Sequence, residues 1–207
     1  MVHPVSRGPG RPPAAKAAET RKRILRAARE VFSERGYDAA TFQAIAVRAD
    51  LTRPAINHYF SSKRELYREV VNETNALVVA ASVKRARRET TLIGRVSGFV
   101  EAATQAEIEN RTAAAFLITV ALESQRHPEL GPREADSMRS TREFLSWAIK
   151  DAIERGELAD DTDASALTEL LIAVLLGVGF YAGFVASREE FATVAEQLQQ
   201  LLARSFG

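Results

Sequence analysis

The chain has 207 residues, 46% of them hydrophobic, enough to bury a sizeable core as one small and one larger domain. It contains no cysteine, which excludes a disulfide framework, a thiolate zinc site and a cysteine nucleophile. The formal net charge of +1 hides a division: residues 1–70 hold 14 Lys and Arg against 7 Asp and Glu, a net of +7, and the rest a net of −6. Cationic charge is therefore concentrated in the N-terminal third, which reads either as a solvated face or as the footprint of a nucleic-acid partner.

Residues 1–19 are rich in proline and alanine pairs, with cations at Arg7, Arg11 and Lys16. Such a composition cannot build a core and reads as a flexible basic arm. No apolar stretch follows the initial residues, so the segment does not read as a secretory signal. Arg7-Gly8-Pro9-Gly10-Arg11-Pro12 loosely resembles the arginine-glycine-arginine-proline core of minor-groove hooks, with the first arginine displaced. Two readings stand: general phosphate affinity, or insertion of an arginine into a narrow minor groove.

A helix is expected over Arg21 to Arg35, with Ile24, Ala28, Val31 and Phe32 as its buried stripe and Gly36 as its stop. Arg21, Lys22, Arg23, Arg26 and Arg29 crowd its other faces, most of them reading as solvated charge, and of these Arg21 and Lys22 lie nearest the N-terminus, where phosphate would be met. Next, Thr41 is an N-cap, and Phe42, Ile45, Ala46 and Ala49 recur at i, i+3, i+4 and i+7. Asp50 ends this helix and Leu51 tucks under the turn. A further helix opens at Thr52 or Arg53 with Pro54 in its first turn, where the missing N–H breaks no bond. Ile56, Tyr59 and Phe60 face inward, which leaves Arg53, Ala55, Asn57 and His58 on the open side. Ser62-Lys63-Arg64-Glu65 is a capping box, so Lys63 sits at a helix N-terminus suited to a phosphate.

At these residues the chain resembles the DNA-binding domain of the tetracycline-repressor (TetR) family of bacterial regulators. The resemblance runs from Thr20 to Val71, through a first helix ending in Gly36-Tyr37 and the sequence His58-Tyr59-Phe60-Ser61-Ser62-Lys63-Arg64-Glu65-Leu66. Two positions depart from the family pattern. Asp50 replaces a common turn glycine, and aspartate visits the left-handed region more readily than most residues. Asn57 stands where an aromatic residue often contacts the backbone, and its amide is able to bond adenine instead. The candidate DNA-contacting set is Arg7, Arg11, Arg21, Thr41, Gln43, Thr52, Arg53, Pro54, Ala55, Asn57, His58, Tyr59 and Lys63. His58 could instead simply be solvated.

Beyond Val71 every pattern is helical, so the fold class is all-α, and the resemblance implies a three-helix helix-turn-helix domain over 20–71 and a helical ligand-binding and dimerisation domain over 72–207. Helices are expected over 63–88, 91–109, 111–126, 133–155, 163–186 and 188–205, with the firmest break at His127-Pro128-Glu129-Leu130-Gly131-Pro132. Lys84-Arg85-Ala86-Arg87-Arg88 closes a helix with positive charge, which suits the macrodipole; contact with DNA is the other reading.

The run Leu170 to Ala186 is 17 residues without a charge. A helix of that length covers about 25 Å, short of the roughly 30 Å hydrocarbon core. Burial on all sides is the expected reading, with Gly179 and Gly183 permitting close helix approach, and a membrane partner is not expected.

The resemblance implies more than the residues do by themselves. Ile153-Glu-Arg-Gly-Glu-Leu158, followed by Asp163 and a leucine-rich helix, resembles the family's C-terminal pattern, in which the last two helices pair with their copies. Leu171, Val174, Leu175, Val178, Phe191, Val194, Leu198 and Leu201 are the dimer candidates, part of which could instead be intrachain core. A twofold dimer would read an inverted repeat in double-stranded DNA with half-sites about 34 to 36 Å apart. A small hydrophobic effector would enter the C-terminal domain and shift the helix joining the domains, a population shift between two spacings of the reading helices. Candidate lining residues are Phe99, Ala103, Phe116, Thr119, Glu123, Met138, Trp147 and Tyr181, each of which reads equally as ordinary helical core.

No enzyme is expected. The three histidines His3, His58 and His127 fall in separate segments, with no metal spacing, triad, phosphate loop or dinucleotide signature, so neither a metal nor a cofactor is expected. The implied protein is a cytoplasmic, ligand-released repressor. An alternative is a DNA-bound scaffold without an effector, which an internal cavity would disfavour, and a third reading is a membrane-tethered DNA binder.

Overall fold

The computed structural model describes residues 13–110, 112–130, 136–185 and 187–206. The regular elements among the described residues are all helical, in the order α1 (Pro13–Ala39), α2 (Phe42–Arg48), α3 (Arg53–Tyr59), α4 (Lys63–Asn75), a π-helical segment (Ala76–Ala80), α5 (Ala81–Ala86), α6 (Leu92–Glu109) and α7 (Ala113–Arg126). There follow a 3-10 turn (Pro128–Leu130), α8 (Asp136–Glu154), α9 (Ala164–Phe180), a second π-helical segment (Tyr181–Val185) and α10 (Arg188–Phe206).

The all-α expectation holds and most boundaries fall within a few residues of it. The start of α1 does not. The expected arm over 1–19 is helical from Pro13, because proline suits a first helical turn and Ala14, Ala15, Ala17 and Ala18 have the highest helix propensity of any residue. Arg7 and Arg11 lie outside the described residues. Gly36, at φ 72°, breaks α1 where a C-terminal stop was expected.

Two cores position everything else. The first gathers Ile24, Ala28, Val31 and Phe32 of α1 with Ile45 and Ala46 of α2, Ile56 of α3, Leu66, Tyr67 and Val70 of α4, and, from beyond the reader, Phe116 and Val120 of α7. Its centre is aromatic: Tyr67 meets Phe32 and Tyr37 edge-on, both with ring centroids 5.0 Å apart, and Phe116 lies 5.9 Å from Tyr67. The second core packs Leu92, Val96 and Phe99 of α6 against Phe144, Leu145 and Ile149 of α8 and Leu171 and Ile172 of α9.

The expectation that the apolar run is buried on all sides is corrected. Within Ala164–Val185, whose mean hydropathy is 1.9, only 17% of the most apolar window is buried. One face packs inward. The other exposes Ala166, Leu170, Ala173, Gly177, Phe180 and Phe184, spaced alternately three and four residues apart. Gly183 does make a close helix approach, since a Cβ there would meet the Ala115 backbone at 2.7 Å, whereas Gly179 makes only ordinary contact with Ile118.

Candidate nucleic-acid interface

The reading unit is α2, a tight turn and α3. Thr41 caps α2 by accepting from the Ala44 N–H at 3.1 Å, and Thr52 caps α3 by accepting from the Ala55 N–H at 3.3 Å. In the turn Asp50 adopts φ 51°, and its N–H donates to Val47 O while the Leu51 N–H donates to Ala46 O at 2.9 Å. That pair of bonds is the Schellman closure, with aspartate in the place usually taken by glycine. Arg23 of α1 steadies it by donating to the Asp50 carbonyl at 3.1 Å. The helix-turn-helix angle is therefore set by backbone closure and by a cation from outside it.

On α3 the structure brings Arg53, Pro54, Asn57 and His58 to the exposed side, with the α2 residue Gln43 also exposed. Ala55, expected on the open side, is half-buried, because it lies next to Ile56 on the edge of the packed face. Tyr59 is half-buried against the core and meets His58 edge-on at 5.4 Å. Thr41 and Thr52 are exposed, with their oxygens engaged as caps.

Several cations of the reader hold the protein together. Arg21 donates to Glu69 at 2.5 Å and lies over the Phe60 ring. Arg48 forks onto Glu34 through two 2.8 Å bonds and reaches Glu30 at 3.1 Å, which clamps α2 to α1. That fork holds the Glu34 carboxyl below its ordinary range and the Arg48 guanidinium above its own. Arg29, expected on a solvated face, is corrected to a core position: it is 3% exposed, and its Nε has no hydrogen-bond acceptor among the described residues. Burial lowers its pKa, opposed by the charges of Glu73 on α4 and Glu107 on α6. Periodicity could not place it there, because α1 packs against α4 and α7 as well as α2.

Lys63 also departs from expectation. Its Nζ donates to the carbonyls of Tyr37 at 2.8 Å and Asp38 at 3.1 Å and stands 4.4 Å from the Tyr37 ring centroid. Once Gly36 has broken the helix, these carbonyls lack their helical donors, and the ammonium satisfies them. The capping box is likewise displaced by one residue: Ser62 accepts from the Glu65 N–H, but the Glu65 carboxylate reaches the N–H and hydroxyl of Ser61, and these bonds hold it below the ordinary carboxylate range.

The C-terminal half contains a cavity of about 130 Å³ lined by α6 to α10 and both π-helical segments. Of the expected lining residues, Phe99, Ala103 and Met138 line it. The other five do not. Phe116 is 0% exposed in the reader's aromatic core, and Thr119 is buried with its hydroxyl on the Ala115 carbonyl. Glu123 lies beneath Gly36 and 3.3 Å from His127. Trp147 is 38% exposed, with Arg95 and Arg87 over its ring, and Tyr181 is half-buried in the second π-helical segment, off the cavity wall. Val78, Val79, Glu107 and Ile172 line the cavity unforeseen, since which helix face meets a void is set by tertiary packing.

The dimer candidates are spread over several environments within the chain. Leu175, Val178 and Phe191 line the cavity, Leu171 and Leu198 belong to the second core, and Val174 and Val194 are half-buried; Leu201 alone of the eight is well exposed, at 63%. In a helix apolar on every side, sequence spacing cannot tell which stripe faces in, and the expected one lies a residue out of phase with the exposed stripe.

A capped two-helix reader on a basic three-helix base, joined to a helical body with an internal cavity, is the architecture of a one-component DNA-binding regulator. The family model for bacterial regulatory proteins of the tetR family matches residues 24–70, and that for the C-terminal part of BetI-type transcriptional repressors matches residues 93–207. The HTH-type transcriptional regulator UidR of Escherichia coli (strain K12) is 28% identical over 163 residues, covering 79% of this chain and 81% of UidR. The HTH-type transcriptional repressor BepR of Brucella suis is 29% identical over 171 residues, covering 79% of this chain and 80% of BepR. Among solved structures, the TetR family regulator PfmR from Thermus thermophilus superposes with a TM-score of 0.69 at 25% identity, covering 88% of this chain and 97% of PfmR. The chain belongs to the TetR family of DNA-binding transcriptional regulators, and it is not an enzyme.

Proposed function

We propose that the protein is a cytoplasmic repressor that binds an inverted-repeat operator as a homodimer and leaves it when a small hydrophobic effector fills the cavity. The observation that carries the DNA half is the exposed face of α3, where Arg53, Asn57 and His58 stand out from a unit locked by caps and turn closure. α3 enters the major groove, with Asn57 and Gln43 reading base edges and Arg53 meeting phosphate. The arm holding Arg7 and Arg11 extends the contact along the duplex.

The outward stripe of α9 supports the dimer. Leu170, Phe180 and Phe184 are each about half exposed, with Gly177 open between them. A contiguous apolar strip of this kind marks a protein interface, and a second copy of α9 matches its chemistry. Two copies related by a twofold axis present two α3 helices to successive major grooves. The cavity favours an effector-responsive repressor over a scaffold, which has no need of interior space.

Selection of bound fragments from random DNA is expected to return an inverted repeat. Asn57→Ala is expected to relax preference at one base pair per half-site by about 1–3 kcal/mol. Recovery of a lone half-site would overturn the dimeric reading, and a uniform loss across all operator variants would make Asn57 a positioning residue.

A further inference from the structure

The cavity has one charged wall. Phe99, Val100, Ile118, Leu175, Leu176 and Phe191 make most of its surface, and Glu107 is the single charged residue among its described lining residues. Thr104 turns its hydroxyl to the Val100 carbonyl at 2.8 Å.

Glu107 is held rigidly. Its Oε1 accepts from the Thr112 N–H at 3.1 Å and its Oε2 from the Ala114 N–H at 2.7 Å. α7 needs this, because Thr112 stands at its N-cap position in the left-handed region, φ 77°, and makes no side-chain cap bond. The carboxylate supplies the missing cap from the neighbouring helix and cannot swing away from the cavity without uncapping α7. Each carboxylate oxygen accepts two hydrogen bonds, so acceptor capacity remains.

Buried charge also lies behind Glu107. Arg29 of α1 is the buried cation of this region and lies within the influence of three acids, Glu73 of α4, Glu107 and Glu30 of α1. Burial raises the pKa of Glu107, opposed by the N–H groups of Ala114 and Thr112 and then by Arg29, and burial raises Glu73 as well. A further carboxylate brought by a ligand would meet the like charge of Glu107 at the cavity wall, whereas a hydroxyl or amine would find an acceptor.

We infer that Glu107 selects the effector: the cavity takes a compact molecule with an apolar body and a hydrogen-bond-donating end, and rejects one that ends in a carboxylate. This rests on the effector-cavity reading above. The volume sets the size, since an apolar cavity of about 150 Å³ holds a benzene-sized molecule.

Toluene, benzyl alcohol and benzoate share one ring and one added carbon and differ at the end group. Their binding to the full-length protein is to be measured by ligand-observed NMR and calorimetry at equal millimolar concentration. Benzyl alcohol is expected to bind at least about tenfold more tightly than benzoate. In Glu107→Gln the gap should close to about threefold or less by a gain in benzoate affinity, with toluene unchanged. Ala103→Leu, which fills the cavity, should weaken all three probes together.

Equal binding of benzoate and benzyl alcohol to the unaltered protein would overturn the selection and leave the cavity reading standing. A gap that persists in Glu107→Gln while toluene still binds the variant as it binds the unaltered protein would remove Glu107 from the role. If no probe binds, or if Ala103→Leu changes nothing, the cavity reading itself fails and the selection with it.

Discussion

Single side chains in the reader serve two ends that compete for the same charge. Lys63 is the clearest case. At a helix N-terminus it is well placed for phosphate, yet its ammonium is engaged by the carbonyls of Tyr37 and Asp38 and by the Tyr37 ring. Lys63→Met is therefore expected to lower stability by about 1–2 kcal/mol in denaturant melts. The slope of log affinity against log salt should stay the same, and a fall of about 0.9 would show that Lys63 leaves its carbonyls for a phosphate when DNA arrives. Arg21, Arg23 and Arg48 follow the same logic, each spent on a contact that holds the three helices. Asp50 was readable as a left-handed turn residue from its type and position; the alternate uses of these cations were not, because a partner 14 to 48 residues away leaves no mark in local spacing.

Among the elements, α9 shows where periodicity stops informing. Its length, its N-cap Asp163 and its apolar character all follow from sequence, and Asp163 accepts from the N–H groups of Ser165 and Ala166 at 3.0 Å as a cap should. Its phase does not follow, because apolar residues occupy both faces. Phe180→Glu on the outward stripe is expected to weaken dimerisation by about 30-fold or more in sedimentation experiments, without unfolding the protomer. Leu175→Ala on the cavity side should instead cost about 2 kcal/mol of stability and leave the dimer intact. The reverse pattern would put the interface on the stripe first read from sequence. The two π-helical segments also border the cavity, through Val78 and Val79 and through Ala182, and no residue pattern marked either of them.

At the scale of the molecule, the reader and the body are joined by side chains shared across them. Phe116 and Val120 of α7 complete the reader's core, and Arg29 of α1 lies near acids of α4 and α6, so a change in the cavity wall has a packed route to α1. Within the body, α6 and α8 are tied by Arg95 and Asp151 at 2.5 Å, with the guanidinium buried and 4.2 Å from the Trp147 ring centroid. The hydrogen bond from Arg95 holds the Asp151 carboxyl below its ordinary range. A depressed carboxyl contributes stability above the unfolded value, near 3.9, and loses it as pH falls through the folded value. Acid is therefore expected to loosen this joint below the usual carboxylate range, reported by Trp147, the chain's one tryptophan. Asp151→Asn should lower stability at neutral pH and flatten the acid limb; an acid limb of unchanged shape would assign the transition to other carboxyls.

The sequence by itself determined the class of fold, the limits of most helices, the capped helix-turn-helix and the family, because caps, turn residues and apolar spacing act over a few residues and are written locally. It also singled out Gln43, Arg53, Asn57 and His58, whose exposure follows from the inward phase of short amphipathic helices. Only the tertiary structure decided that Lys63 and Arg48 act as struts, that Arg29 is buried, that Phe116 belongs to the reader, which walls enclose the cavity, and which stripe of α9 faces outward. Each of these depends on what a residue meets across the chain, and that is set by how whole helices pack, not by the order of residues along any one of them.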